Sequence, residues 1–175
     1  MVNSVKISWL ISGLVAAAVV IAAGMALMYF LPLDFGDRSP VQPIAFSHKV
    51  HAGDNAIHCL FCHRFASKSP IAGIPAVATC RSCHQFISPD APEIRKLTGY
   101  WDNRKPIPWV RVYRLPDHVY FPHMMHIRAN LACSTCHGEV AAMVRITRSV
   151  KLKMGWCLNC HKQHSASIDC WTCHK

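Results

Sequence analysis

Apolar positions are spread unevenly along this chain. Residues Ile7 to Leu33 form an uncharged run of 27 residues, interrupted near its start only by Ser8, Ser12 and Gly13. A helix crosses a bilayer with about 20 apolar residues, so residues 1–33 are predicted to be a transmembrane signal anchor. A cleavable signal peptide has an apolar region of about 7–15 residues. The run exceeds that, although Ala22-Ala23-Gly24 mimics a cleavage site, and an uncleaved anchor is expected. Lys6 on one flank, with Asp34 and Asp37 on the other, weakly favours an inside N-terminus and an outside domain. After Pro32, residues 34–45 contain Pro40 and Pro43 and read as an extended stalk. Residues 46–175 follow as the folded domain. Within it, Asp90, Pro92 and Glu93 read as the N-cap and capping box of a short helix through about Trp101, with Ile94, Leu97 and Trp101 on one face. The segment Ile107–Leu115 alternates enough to predict a short strand.

Composition changes this picture. Hydrophobic residues make up 51% of the 175, yet much of that share lies in the anchor. About 140 residues remain, enough for one small domain. With 11 Pro and ten Cys, that domain is poorly equipped to build a large aliphatic core, so something else must fill its middle. Hydrophobicity and cysteine content exclude intrinsic disorder. A single apolar run excludes a multi-spanning protein. The length excludes a large enzyme with its own dinucleotide-binding domain or barrel.

The ten cysteines supply the missing filler. They form five Cys-x-x-Cys-His motifs, Cys59/Cys62/His63, Cys80/Cys83/His84, Cys133/Cys136/His137, Cys157/Cys160/His161 and Cys170/Cys173/His174. This is the attachment pattern of c-type haem. Two thioether bonds fix the backbone at the porphyrin edge, and the next residue then directs its imidazole at the iron as proximal ligand. Zinc ribbons use Cys-x-x-Cys pairs without needing a histidine after each. With 12 histidines in the chain, five successive chance occurrences are on the order of one in a million. A redox dithiol needs a βαβ setting, and no cysteine is left over for a structural disulfide. Five covalent haem c groups are therefore expected, packed closely enough to form the core and to pass electrons among themselves. Such attachment places the domain outside the cytoplasmic membrane, on the periplasmic side. The formal charge of +10 is then offset by about ten propionates, so it is not read as a nucleic-acid footprint. Arg64, Arg81, Lys162 and Lys175 lie beside motifs. Arg111 and Arg114 are candidates to meet propionates, with ordinary solvated arginines the equal alternative.

Five distal positions remain, and seven histidines can fill them: His48, His51, His58, His118, His123, His126 and His164. Two axial imidazoles make a low-spin iron suited to electron transfer rather than substrate binding. An internal repeat narrows the choice. Phe46-Ser-His48-Lys-Val-His51 precedes the first motif, and Phe121-Pro-His123-Met-Met-His126 precedes the third. If each segment is helical, its two imidazoles share one face. His48 is assigned to haem 1 and His123 to haem 3. His51 must reach another haem, haem 2 being a candidate, and His126 is expected at haem 4. The fifth distal ligand is open among Met154, His164, Met143 and His58. Trp101, Trp109, Trp156 and Trp171 are expected to pack against haem faces or edges.

The Phe-x-His-x-x-His segment followed by close-set motifs resembles the class III cytochromes, the c7 and c3 group. That resemblance implies a mostly irregular fold with short α-helices around a haem core. Residues 46–88 would carry haems 1 and 2, residues 89–120 a haem-free connector, and residues 121–175 a unit like a whole triheme c7. In such a unit a ligand just upstream of the second motif serves the last haem. Met154 holds that place approximately, which favours it on haem 5 with a raised potential. Over the full length, Phe46–His51, Ala72-Gly-Ile-Pro75, Ile107–Val112, Val119–His123 and Met154–Cys157 are similar to the pentahaem subunit of alternative complex III. His58, His118 and His164 depart from that pattern. The resemblance implies an iron–sulfur partner, polytopic subunits holding a quinol site, usually a monohaem cytochrome c subunit, and a soluble carrier or terminal acceptor. The expected role is relay of single electrons from quinol oxidation, with no catalytic residue in this chain. The alternatives are a stand-alone anchored quinol dehydrogenase feeding a periplasmic reductase, and a haem enzyme such as a nitrite reductase. Each needs an open or labile distal position, which the surplus of histidines disfavours.

Overall fold

An apolar helix begins the chain. The computed structural model describes residues 2–30 and 39–174. The remainder includes Pro32, Asp34, Asp37, Lys175 and the first part of the expected stalk, which lie outside the described residues. The chain divides into two units, Met1–Asp37 and Arg38–Lys175. The first contains α1 (Val2–Phe30). Its stretch Trp9–Tyr29, 21 residues, is long and apolar enough to cross a membrane. A helix apolar all round is the form that lipid selects.

The second unit is a set of short helical pieces joined by irregular chain. They are a π-helix (Lys49–Asp54), α2 (Cys59–Cys62), α3 (Val77–His84), α4 (Pro92–Asp102), α5 (His123–Arg128), α6 (Ser134–His137), a 3-10 turn (Val140–Ala142), α7 (Met154–Gln163) and α8 (Cys170–Cys173). Among the described residues there is no strand, and one isolated antiparallel bridge joins Val119 to His174. The fold is thus mostly irregular with short helices, as the sequence predicts.

The strand expected at Ile107–Leu115 does not form. Gln42 stands where a neighbouring strand would be: its Nε2 donates to the Val110 carbonyl and its Oε1 accepts from the Val110 N–H, both at 2.9 Å. One carboxamide satisfies the backbone that a ladder would have paired, and Pro106, Pro108 and Pro116 remove donors around it. Replacing Gln42 with leucine should cost roughly 1–2 kcal/mol, at about 1 kcal/mol for each hydrogen bond lost. A fall of about 3–8 °C in the melting temperature of the haem-loaded protein is expected, and an unchanged melting curve would mean the amide does not hold this segment.

The apolar core is small. Ile44, Leu97 and Ile107 form its buried cluster, with Val77, Cys80, Ile94, Tyr100 and Trp109 packed around it. It seats α4 against α3, where Arg81 also donates to Thr98 Oγ1 at 3.3 Å. The helical spacing of Ile94 and Leu97 places both at this cluster. Trp101, expected on the same face, is instead 45% exposed, and Tyr100 takes the packing position. The capping expectation also needs correction. Ala91 is the N-cap of α4 and contributes no side-chain cap, while Pro92 occupies the first turn. Asp90 presents its carbonyl to the Arg95 guanidinium. Glu93 is taken by tertiary structure: its carboxylate accepts from the Ala45 N–H and from Lys96 Nζ, each at 2.6 Å. Lys96 first, then the Ala45 N–H, holds the Glu93 carboxyl below its ordinary range.

Candidate metal centres

Each Cys-x-x-Cys-His motif is built on a helical turn, which puts its two thiols three residues apart on one face. Cys59 and Cys62 form α2 with His63 at its end. Cys80, Cys83 and His84 lie in α3, Cys157, Cys160 and His161 in α7, and Cys136 and His137 in α6 with Cys133 as its N-cap. Cys170 and Cys173 bound α8, and His174 follows. His58 caps α2, its Nδ1 accepting from the Leu60 N–H at 3.2 Å, and Asp169 caps α8 in the same way. All ten thiols are unbridged.

The repeat seen in the sequence is also a repeat in space. Phe46 packs against His51 with ring centroids 4.4 Å apart and meets His48 edge-on at 4.9 Å. Phe121 lies 4.3 Å from His126 and meets His123 edge-on at 4.9 Å. In each copy one phenyl ring sits between two imidazoles three residues apart. His51 Nδ1 donates to the Ser47 carbonyl at 2.8 Å, and His126 Nδ1 to the Pro122 carbonyl at 3.0 Å.

These imidazoles face the motif histidines in pairs. Ring centroids are 5.9 Å apart for His51 and His84, 6.4 Å for His123 and His137, 6.1 Å for His126 and His161, and 5.5 Å for His118 and His174. His48 lies beside His63: burial, then His63 and His51, push the His48 imidazole down to about 4. Burial, then His123 and His63, likewise lower His137. A low value keeps the ring neutral, the state in which it can bind a metal.

The pairs fit a metal held axially. Imidazole–metal bonds are about 2 Å, so two rings on opposite sides of one ion have centroids roughly 6 Å apart. No group of three or more His, Cys, Asp or Glu suited to a bare ion occurs among the described residues. Two axial imidazoles are the protein's share when a porphyrin supplies the four equatorial nitrogens. Two further observations fit that group. Phe61, Phe65, Phe86, Ile71 and Trp171 lie near the motifs and are more than half exposed, Trp171 at 77%, which is apolar surface that a flat apolar ring would cover. His48 Nδ1 is buried with no hydrogen-bond partner, which suits a ring nitrogen whose lone pair would go to a metal.

Several motif histidines have their second nitrogen tied to backbone. His63 Nδ1 donates to the Gly73 carbonyl at 2.9 Å, His84 Nδ1 to Ile87 at 3.1 Å, and His161 Nδ1 to Ser167 at 2.6 Å. Such bonds fix the tautomer and leave Nε2 for the metal. Neighbouring motifs also affect one another's thiols. Burial and then Cys59 and Cys83 raise Cys62, and burial and then Cys62 raise Cys80. Burial and the adjacent Cys59 raise Cys133. Burial, then Cys160 and Cys157, raise Cys136, and burial, then Cys173, raise Cys157. The motifs therefore neighbour one another in space in the order two, one, three, four, five.

Among the expected distal ligands, His48, His51, His123 and His126 each lie beside a motif imidazole. Met154 opens α7 and is 65% exposed. His58 and His164 are exposed, and the Met143 carbonyl accepts from the Lys49 N–H at 2.9 Å. The residue that faces His174 is His118, which sequence reasoning left as a surplus histidine. The bridge between Val119 and His174, with the Tyr120 N–H donating to the Cys173 carbonyl at 2.7 Å, brings it there. Of the tryptophans, Trp109 packs on the apolar cluster.

Part of the sequence matches a known family, and most of it is similar to a known protein. Residues 119–175 match the family described as cytochrome c7 and related cytochrome c. The chain is also 29% identical, over 161 residues covering 77% of each protein, to a protein of Nitratidesulfovibrio vulgaris (strain Hildenborough) named "Menaquinone reductase, multiheme cytochrome c subunit". Residues 119–175 thus carry the c7 signature, and the described residues are short helices without a strand, as in a c7-like fold.

Proposed function

We propose that this chain is a membrane-anchored relay for single electrons, holding five haem c groups on the periplasmic side of a quinone-linked oxidoreductase. The observation that carries the reading is the second imidazole beside every motif histidine. The proposed axial pairs are His63 with His48, His84 with His51, His137 with His123, His161 with His126, and His174 with His118. His118 takes the place that the sequence gives to Met154. Bound haem c would supply a one-electron ferric/ferrous couple at each site. The cysteine pairs would tether it by thioethers, and the imidazoles would close both axial positions against water and substrate. That closure favours relay over bond-making chemistry, as in a nitrite reductase, which needs a vacant position.

The quinone link rests on two supports. The relative's name contains menaquinone reductase, and five segments resemble the pentahaem subunit of alternative complex III. The finer reading is membership of such a complex, with an iron–sulfur protein, polytopic quinone-binding subunits and a monohaem cytochrome as partners. Axial pairs of this kind carry electrons in either direction, so the donor and acceptor potentials decide whether quinol is oxidised or quinone reduced.

Native gel separation of mildly solubilised membranes, with haem staining and mass spectrometry of the stained band, tests the reading. Co-migration with an iron–sulfur protein and polytopic subunits is expected. Migration alone, or with a single soluble reductase, would replace it with the stand-alone quinol dehydrogenase.

A further inference from the structure

Between the first and second motifs runs Ser69-Pro-Ile-Ala-Gly-Ile-Pro75, a segment with no thiol, histidine or charge. Two of its carbonyls nevertheless receive imidazole N–H groups. The Gly73 carbonyl accepts from His63 Nδ1 at 2.9 Å. Three residues earlier, the Pro70 carbonyl accepts from His123 Nδ1 and from the His123 backbone N–H, both at 3.1 Å. His63 belongs to site 1 and His123 to site 3. The other tied imidazoles donate to carbonyls within six residues of themselves, whereas His123 reaches back 53 residues.

We propose that Pro70–Gly73 is a positioning element shared by two metal sites, setting the ring orientation of His63 in site 1 and His123 in site 3 through carbonyls three residues apart. It thereby joins the half of the domain built on His48 and His51 to the half built on His123 and His126. Carbonyl acceptors at the outer nitrogen raise ligand basicity and lock the imidazole plane. One rigid stretch of backbone doing this for both rings keeps the two sites in fixed register where the halves meet.

The sequence suits the task. Pro70 has a fixed φ, which limits how its carbonyl can swing. Gly73 has φ +71°, a conformation that most side chains resist, and it aims the carbonyl at His63. An added Cβ there would touch Phe65 only at ordinary contact distance, 3.4 Å, so space alone does not require glycine. The Phe65 carbonyl, accepting from the Lys68 and Ser69 N–H groups at 3.0 and 2.8 Å, turns the chain into the segment.

The inference rests on the five-site reading, and the test separates the two. The full-length protein is purified with its haem, and iron and haem are counted first. Fewer than five per chain would overturn the reading itself. Low-spin EPR signals and midpoint potentials are then compared for wild type, Gly73→Ala, Pro70→Ala and Gly73→Asn. His63→Met and His123→Met identify the signals of sites 1 and 3. Gly73→Ala and Pro70→Ala should move those two signals and potentials and leave three unchanged. Gly73→Asn, which tolerates positive φ, should restore the wild-type pair. Movement of one signal, of all five, or of none would overturn the proposal. Should Gly73→Ala fail to load haem, Pro70→Ala carries the same test. In the wild type, hyperfine-shifted NMR should show slowly exchanging Nδ1 protons on His63 and His123, and rapid exchange of either would also overturn it.

Discussion

Replacing His118 with alanine is expected to turn one of five low-spin sites high-spin, while Met154→Ala leaves all five low-spin. The rings of His118 and His174 have centroids 5.5 Å apart with an angle of 25° between them. A single imidazole leaves an iron five-coordinate or water-bound, and its spin state reports the loss directly. Met154 opens α7 and is 65% exposed, and the ring that faces His174 is that of His118. His118→Met should keep the site six-coordinate and raise its potential, since thioether ligation favours the ferrous state. EPR and reductive titration of the three purified variants check this. A high-spin signal in Met154→Ala, with His118→Ala unchanged, would return Met154 to the fifth position.

Gly138→Ala should be strongly destabilising. Gly138 follows the third motif with φ +68°, and a Cβ there would run into the Ser149 hydroxyl. That hydroxyl has little freedom to retreat. It donates to the His137 carbonyl at 2.9 Å, and the Ser149 N–H donates to Tyr113 Oη at 2.8 Å. The Tyr113 ring in turn meets the His137 imidazole edge-on at 5.0 Å. Backbone at φ +68°, ψ −165°, a region that essentially only glycine adopts, costs an alanine about 1–3 kcal/mol, and the collision about 1–3 kcal/mol more. Their sum is a large part of a domain stability of about 5–15 kcal/mol. The haem-loaded variant should melt roughly 10 °C or more below wild type, with the signal of the third site altered. Adding Ser149→Gly relieves the collision but not the backbone strain, so about half of the loss should return. Wild-type melting and an unchanged third site in Gly138→Ala would refute this account.

What could be read from the sequence was what is local. A thioether-linked ring imposes Cys-x-x-Cys-His spacing on five residues at a time, so the motifs are legible without the fold. That His48, His51, His123 and His126 come to lie beside motif histidines was legible because each pair shares a helical segment and a phenylalanine. His118 was not, because the contact that places it joins Val119 to a residue near the far end of the chain. Met154 was favoured by position in a related pattern, whereas the ring that faces His174 is that of His118. The strand at Ile107–Leu115 failed for a similar reason. Alternation describes a segment able to pair, and here the partner is one glutamine side chain from Gln42. The capping box at α4 failed because Glu93 had a better use holding Ala45. In each case a distant residue outbid a local rule.

The small apolar cluster of Ile44, Leu97 and Ile107 has a consequence for the life of the protein in the cell. An empty polypeptide gains too little from burying three aliphatic side chains to offset the entropy of ordering a whole domain. On the haem-relay reading proposed above, folding would wait for cofactor attachment, and the chain would stay open to proteases until its thioethers are made. Haem supply then acts as a quality-control gate. A cell short of iron would carry fewer copies of this protein rather than empty ones.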